Sequence, residues 1–129
     1  MPTGTTGAAK APKAVKLNFT IDKKGFATVT DGNIYCLAIP RGLNNETFQV
    51  WMDTIEHYVA VANTPDTKVP KGVTLVKGIT FAKKADYYLA SNSKGGVSFH
   101  PLPGLTLAKL GETWINTMRI GQRAVDNAK

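Results

Sequence analysis

The sequence predicts an α+β fold of two diverged β-β-β-α repeats, with antiparallel sheets and two amphipathic helices packed against them. Apolar residues alternate along short β-branched segments, then shift to three- and four-residue spacing in two later segments. The same order of elements recurs, with matching residues at two places. At 129 residues the chain has the length of one compact domain, too short for two separate cores and a linker. The duplication is therefore expected to share one core.

Val15, Leu17, Phe19 and Ile21 alternate with Lys16, Asn18, Thr20 and Asp22, the pattern of a half-buried strand. Lys23-Lys24-Gly25 reads as a turn, Phe26 to Thr30 as a second strand, Asp31-Gly32-Asn33 as a turn and Ile34 to Ile39 as a third strand. Pro40 and Arg41-Gly42 are expected to end the sheet. Asn44 or Asn45 can cap a helix whose apolar positions, Phe48, Trp51, Met52, Ile55, Tyr58, Val59 and Ala62, fall on one face. Asn63-Thr64-Pro65 ends it.

In the second half, Val73 to Phe81, Tyr87 to Ala90 and Val97 to His100 read as strands, separated by Lys83-Lys84 and by Ser93 to Gly96. Pro101 and Pro103 are expected to stop the sheet. A second helix from near Thr106 turns Leu107, Leu110, Trp114, Ile115, Met118 and Val125 inward, with Gly111 and Gly121 weakening it.

The first repeat spans about 14–63 and the second about 73–127, within one domain of 14–129. Thr20-Ile21-Asp22-Lys23-Lys24 matches Thr80-Phe81-Ala82-Lys83-Lys84, and Trp51-Met52-Asp53-Thr54-Ile55 matches Trp114-Ile115-Asn116-Thr117-Met118. Residues 1–13 are small, Gly/Pro/Thr-rich and lightly basic, and are expected to form a flexible arm.

The net charge is +7, with a sequence pI near 9.6, which favours an anionic partner. The charge is uneven: residues 44–63 carry three acidic residues and no Lys or Arg, whereas 1–43 and 64–104 each carry six basic and two acidic residues. Positive potential is therefore expected on the strand side and its hairpin tips. Aromatic residues fall in the same segments, and lysines with exposed rings are the combination that holds single strands, the former on phosphates and the latter against bases.

The candidate phosphate contacts are Lys16, Lys23, Lys24, Lys77, Lys83, Lys84 and Lys94; the candidate stacking residues are Tyr35, Tyr87 and Tyr88. Neighbours on a strand point to opposite faces, so one of Tyr87 and Tyr88 must leave the core.

No Cys-x-x-Cys, His-x-x-x-His or His-Glu-x-x-His spacing implies a metal, and no Walker-type loop, dinucleotide fingerprint or Gly-x-Ser-x-Gly elbow occurs. The expectation is a protein with no catalytic residues, metal or cofactor. Asp53, Glu56 and His57 read as a solvated helix face, and would carry chemistry only if gathered in a deep pocket. Cys36, the one cysteine, lies in an apolar run and reads as a core thiol. No apolar run is long enough to span a membrane and the N-terminus has no signal-like stretch, so an intracellular, soluble protein is expected, cytoplasmic or nucleoid-associated.

A repeated strands-then-helix unit with a basic sheet resembles the single-stranded nucleic-acid binders that include plant Whirly proteins and positive-coactivator-type single-stranded DNA-binding domains. The resemblance is one of architecture over residues 14–127, with three strands here where those families place four. It implies single strands crossing the sheet, helices forming the core or an oligomer interface, and no cofactor. The expected function is thus a sequence-tolerant, single-stranded DNA- or RNA-binding protein that forms homo-oligomers. The alternative is a viral or other structural subunit, a coat or accessory protein with a basic arm.

Overall fold

The computed structural model describes residues 18–30, 32–64 and 66–127. The arm of residues 1–13, Lys16 and the start of the first strand lie outside these. Three strands, β1 (Asn18–Ile21), β2 (Ala27–Thr30) and β3 (Tyr35–Arg41), precede α1 (Asn45–Asn63). Three more, β4 (Thr80–Lys83), β5 (Tyr88–Asn92) and β6 (Gly95–Pro101), precede a second helix built of α2 (Leu107–Leu110), a π-helical turn (Gly111–Ile115) and α3 (Asn116–Asn127).

The strands form one continuous antiparallel sheet in the order β1-β2-β3-β6-β5-β4, rather than separate sheets. The order reads outward identically from the central β3·β6 junction, where Ala38 faces Phe99 and Ile39 faces Ser98.

Both helices lie on one side. Alternation along the strands sends Ala27, Val29, Cys36, Ala38, Ala90, Val97 and Phe99 to that side, where they meet Phe48, Trp51, Met52 and Ile55 of α1 and Leu110, Trp114, Ile115 and Met118 of the second helix. Fully burying a side chain such as Leu110 contributes about 1.5–3 kcal/mol, and this shared layer is the core.

Local chemistry fixes the helix starts. The Asn44 side chain accepts from Thr47 N–H while the Thr47 hydroxyl accepts from Asn44 N–H, a reciprocal capping box. Thr106 caps the second helix by accepting from Lys109 N–H.

Several expected strand boundaries move: β5 runs from Tyr88 to Asn92, and β6 takes in Gly95, Gly96 and Pro101, where a turn and the end of the sheet are expected. Pro40 and Arg41 belong to β3 instead of ending the sheet: the β2 ladder stops at Ala27 opposite Ala38, so from Pro40 onward β3 is flanked by β6 alone. A proline without N–H is tolerated on such a local edge. Residues 73–79 are not strand, because their backbone is engaged by α1: Val76 N–H donates to Thr54 Oγ1 at 2.7 Å and the Tyr58 hydroxyl donates to Val76 O at 3.1 Å. Gly78, at φ +70°, then turns the chain into β4.

Candidate nucleic-acid interface

The sheet face opposite the helices carries the other half of the alternation: Thr28, Leu37, Ile39, Arg41, Ser91, Leu89, Ser98 and His100. Among the described residues no helix packs there. The face is a half-buried apolar centre, Leu37, Ile39 and Leu89, framed by hydroxyl-bearing residues.

At one corner three side chains converge. Tyr87, just before β5, stacks on His100 of β6 with ring centroids 4.9 Å apart and planes at 25°. The Arg41 guanidinium reaches across from β3 to lie 5.7 Å from the Tyr87 centroid, within cation-π range. His100 Nε2 is 3.1 Å from Ser98 Oγ, which fixes its ring. Burial pushes the His100 imidazole below its ordinary pKa, the Arg41 charge adds to that, and Asp86 opposes it, so the neutral ring is favoured.

The adjacent tyrosines divide as alternation requires. Tyr87 reaches the uncovered face; Tyr88 turns to the helices, where its hydroxyl abuts Gly111 of the π-turn and its ring is half-buried against the core. Tyr35 is half-buried and tethered, its hydroxyl donating to Pro103 O at 2.6 Å.

The lysines fringe the ends of the sheet rather than covering its face. Lys23 and Lys24 are exposed in the β1–β2 turn, where Asp22 Oδ1 accepts from Lys24 N–H at 2.8 Å and Phe26 N–H at 3.0 Å. Lys94 in the β5–β6 turn and Lys77 before β4 are exposed at that same end. Lys83 closes β4 and Lys84 begins the next turn at the opposite end, Lys84 N–H donating to Tyr87 O at 2.8 Å. Within the strands, the cation brought to the uncovered face is Arg41.

Sequence reasoning missed Arg41, because Pro40 read as the end of the strand, and also Phe26. Alternation from buried Ala27 and Val29 turns Phe26 toward the uncovered side, where it is 36% exposed. Its signal was available: an aromatic residue one position out of phase with the core set.

Two clefts adjoin α1. Asp53, Glu56 and His57 line one of about 210 Å³ together with Lys68 and Pro70, below the roughly 300 Å³ of ordinary ligand pockets. Asp53 accepts from Gln49 Nε2 at 2.9 Å, and burial pushes the His57 pKa down. The larger, of about 690 Å³, opens at the lysine-rich end of the sheet between the start of α1, residues 74–78 and the β5–β6 turn. Among the described residues no group of three or more His, Cys, Asp or Glu is arranged to hold a metal, and no helix is long and apolar enough to cross a membrane.

No family model, curated protein or solved structure matches this chain.

Proposed function

We propose that this chain is a sequence-tolerant single-stranded nucleic-acid-binding protein, and that the strand crosses the uncovered sheet face. The observation that carries the reading is the Arg41–Tyr87–His100 cluster, a stacked and cation-capped aromatic platform on a face that no described helix covers. Aromatic faces hold bases without regard to sequence, and lysines at both ends of the sheet suit a phosphate backbone passing over it. Phe26, diagonally across the face, supplies a second ring.

The same proposal takes the chain as two diverged β-β-β-α copies. Ladder position makes Phe19 equivalent to Phe81, Val29 to Ala90 and Ala38 to Phe99. The hairpin closures Asp22 N–H to Phe26 O and Lys84 N–H to Tyr87 O are then equivalent, as are the caps Asn44 and Thr106 and the buried Phe48 and Leu110. Past the π-turn the separation grows by one residue, which makes Trp51 equivalent to Trp114 and Ile55 to Met118. A π-turn closes i→i+5 rings and so absorbs one extra residue; that insertion accounts for it. This register displaces the Thr20–Lys24 and Thr80–Lys84 match by two residues and makes Tyr87 the counterpart of Phe26.

The test is a titration with single- and double-stranded oligonucleotides of matched sequence over a range of salt. Preference for the single strand, with affinity falling as salt rises, is expected. Salt-independent binding, or equal affinity for the duplex, would reject the reading.

A further inference from the structure

The large cleft is framed by two segments that each bring a lysine. Lys77 and Lys94 are exposed at its rim, and no described residue forms an ion pair with either. Its apolar lining is made chiefly by half-buried Leu43, Val50 and Leu75, interspersed with polar Thr47, Thr74 and Asn92.

One side chain ties together the two backbone segments that carry these lysines. Asn92 Nδ2 donates to the Lys77 carbonyl at 3.2 Å, and Asn92 Oδ1 accepts from Lys94 N–H at 2.9 Å. The Lys77 segment is also anchored from below, through Val76, by Thr54 and Tyr58 of α1. The backbone of the cleft is thus preformed, held by hydrogen bonds that leave the lysine side chains free to meet a ligand.

We infer that this cleft binds one nucleotide unit, its phosphate between Lys77 and Lys94 and its ring against the apolar surface of Leu43, Val50 and Leu75. The volume of about 690 Å³ is within the roughly 300–1,000 Å³ usual for small-ligand sites, and an apolar surface beside paired cations suits a flat ring that carries a phosphate. Inorganic phosphate alone would leave the apolar surface unused, and a neutral apolar ligand would leave both ammonium groups unused. Arg41 immediately precedes Gly42 and Leu43 of the cleft lining, so the uncovered face and the cleft meet at the C-terminal end of β3. A nucleotide of a strand lying on that face can enter it. For the strand as source, the inference rests on the nucleic-acid reading; for a free nucleotide it does not.

The experiment is amide-resolved NMR of the full chain titrated separately with thymidine 5′-monophosphate, inorganic phosphate and an eight-residue oligothymidylate. Mononucleotide is expected to shift the Leu43, Lys77, Lys94 and Gly95 amides more strongly than phosphate does, and Lys77→Gln or Lys94→Gln to weaken it about two- to fivefold, as for an exposed charge contact. Oligothymidylate shifts at both the cleft and Tyr87 identify a strand as the source; cleft shifts with mononucleotide alone identify a free nucleotide. The inference is overturned if neither mononucleotide nor oligothymidylate perturbs the cleft amides, if phosphate shifts them as strongly as mononucleotide does, or if both lysine variants bind mononucleotide as the parent does. Oligothymidylate shifts confined to Leu37, Tyr87 and His100, with no mononucleotide response in the cleft, would reject the cleft and leave the sheet reading intact.

Discussion

Gly121 of α3 rests directly on the backbone of Tyr58 in α1: a Cβ built on it would fall inside contact distance of the Tyr58 carbonyl oxygen, carbonyl carbon and Cα. This is where the two helices approach most closely at a glycine, and the obstacle is backbone, which cannot swing aside. Gly→Ala in an exposed helix ordinarily stabilises by about 1 kcal/mol. Here the sign is expected to reverse, with Gly121→Ala losing about 1–3 kcal/mol through overpacking. Urea denaturation of the two proteins decides it, and an unchanged or raised midpoint would show that the helices can part at no cost.

Trp51 and Trp114 are both buried, but Trp114 Nε1–H is buried with no hydrogen-bond partner. An unsatisfied buried donor costs about 1–3 kcal/mol, so Trp114→Phe removes a penalty as well as packing volume and is expected to change stability by no more than about 1 kcal/mol. Trp114→Ala leaves the cavity without comparable relief and is expected to cost about 3–5 kcal/mol. Thermal denaturation of both variants should show that gap; similar losses would mean the indole N–H is satisfied in solution.

The sequence conveyed the core better than the surface. Helical spacing picked out Phe48, Ile55, Leu110 and Met118 because that signal is made by burial itself. The strand order could not be read, since pairing β3 with β6 depends on two segments far apart in the chain. Residues 73–79 misled for a related reason: their apolar residues fit a strand, yet Thr54 and Tyr58 of α1 take the Val76 backbone groups. Adjacent tyrosines announced that one ring leaves the core, but which of them does so follows from the β5·β6 register, which brings Tyr88 opposite Phe99 on the helix side. Arg41 was hidden by Pro40, whose tolerance depends on where β2 stops.

Both histidines are shifted downward, His57 by burial and His100 by burial first and then by Arg41. A histidine whose folded pKa lies below its unfolded value of about 6.5 binds its proton more readily in the unfolded chain. Between those two pKa values, therefore, stability rises with pH. The contribution is complete above the unfolded pKa and is lost as pH falls to the folded one. The melting temperature is expected to drop from pH 7.5 toward pH 5, and His57→Gln with His100→Gln should remove part of that slope. A double variant that keeps the full slope would assign it to carboxylates instead.

Cys36 is fully buried, and burial pushes its thiol well above the ordinary range. Only the thiolate reacts with alkylating reagents, so labelling in the native protein must wait for an opening event. Iodoacetamide is expected to modify the native chain at least about 100-fold more slowly than the urea-unfolded chain, at a rate that follows stability across the Gly121 and Trp114 variants. Rapid labelling under native conditions would place the β2–β3 region at the labile end of the fold.

The platform reading separates charge from stacking in a way that variants can resolve. Tyr87→Ala removes a base-stacking ring and the surface beneath Arg41, so affinity for a single strand is expected to fall roughly tenfold with the salt dependence unchanged, consistent with about 1–3 kcal/mol per stacked base. Lys24→Gln or Lys84→Gln should weaken binding less but reduce the salt slope by about one contact. Arg41→Lys keeps the charge and loses the planar guanidinium, so it should resemble Tyr87→Ala rather than the lysine variants. Tyr35→Phe is the control: it removes only the hydroxyl bonded to Pro103 O and should leave affinity unaltered. Fluorescence anisotropy with a labelled oligothymidylate at several salt concentrations measures all five, and equal salt slopes for the aromatic and lysine variants would refute the division of labour.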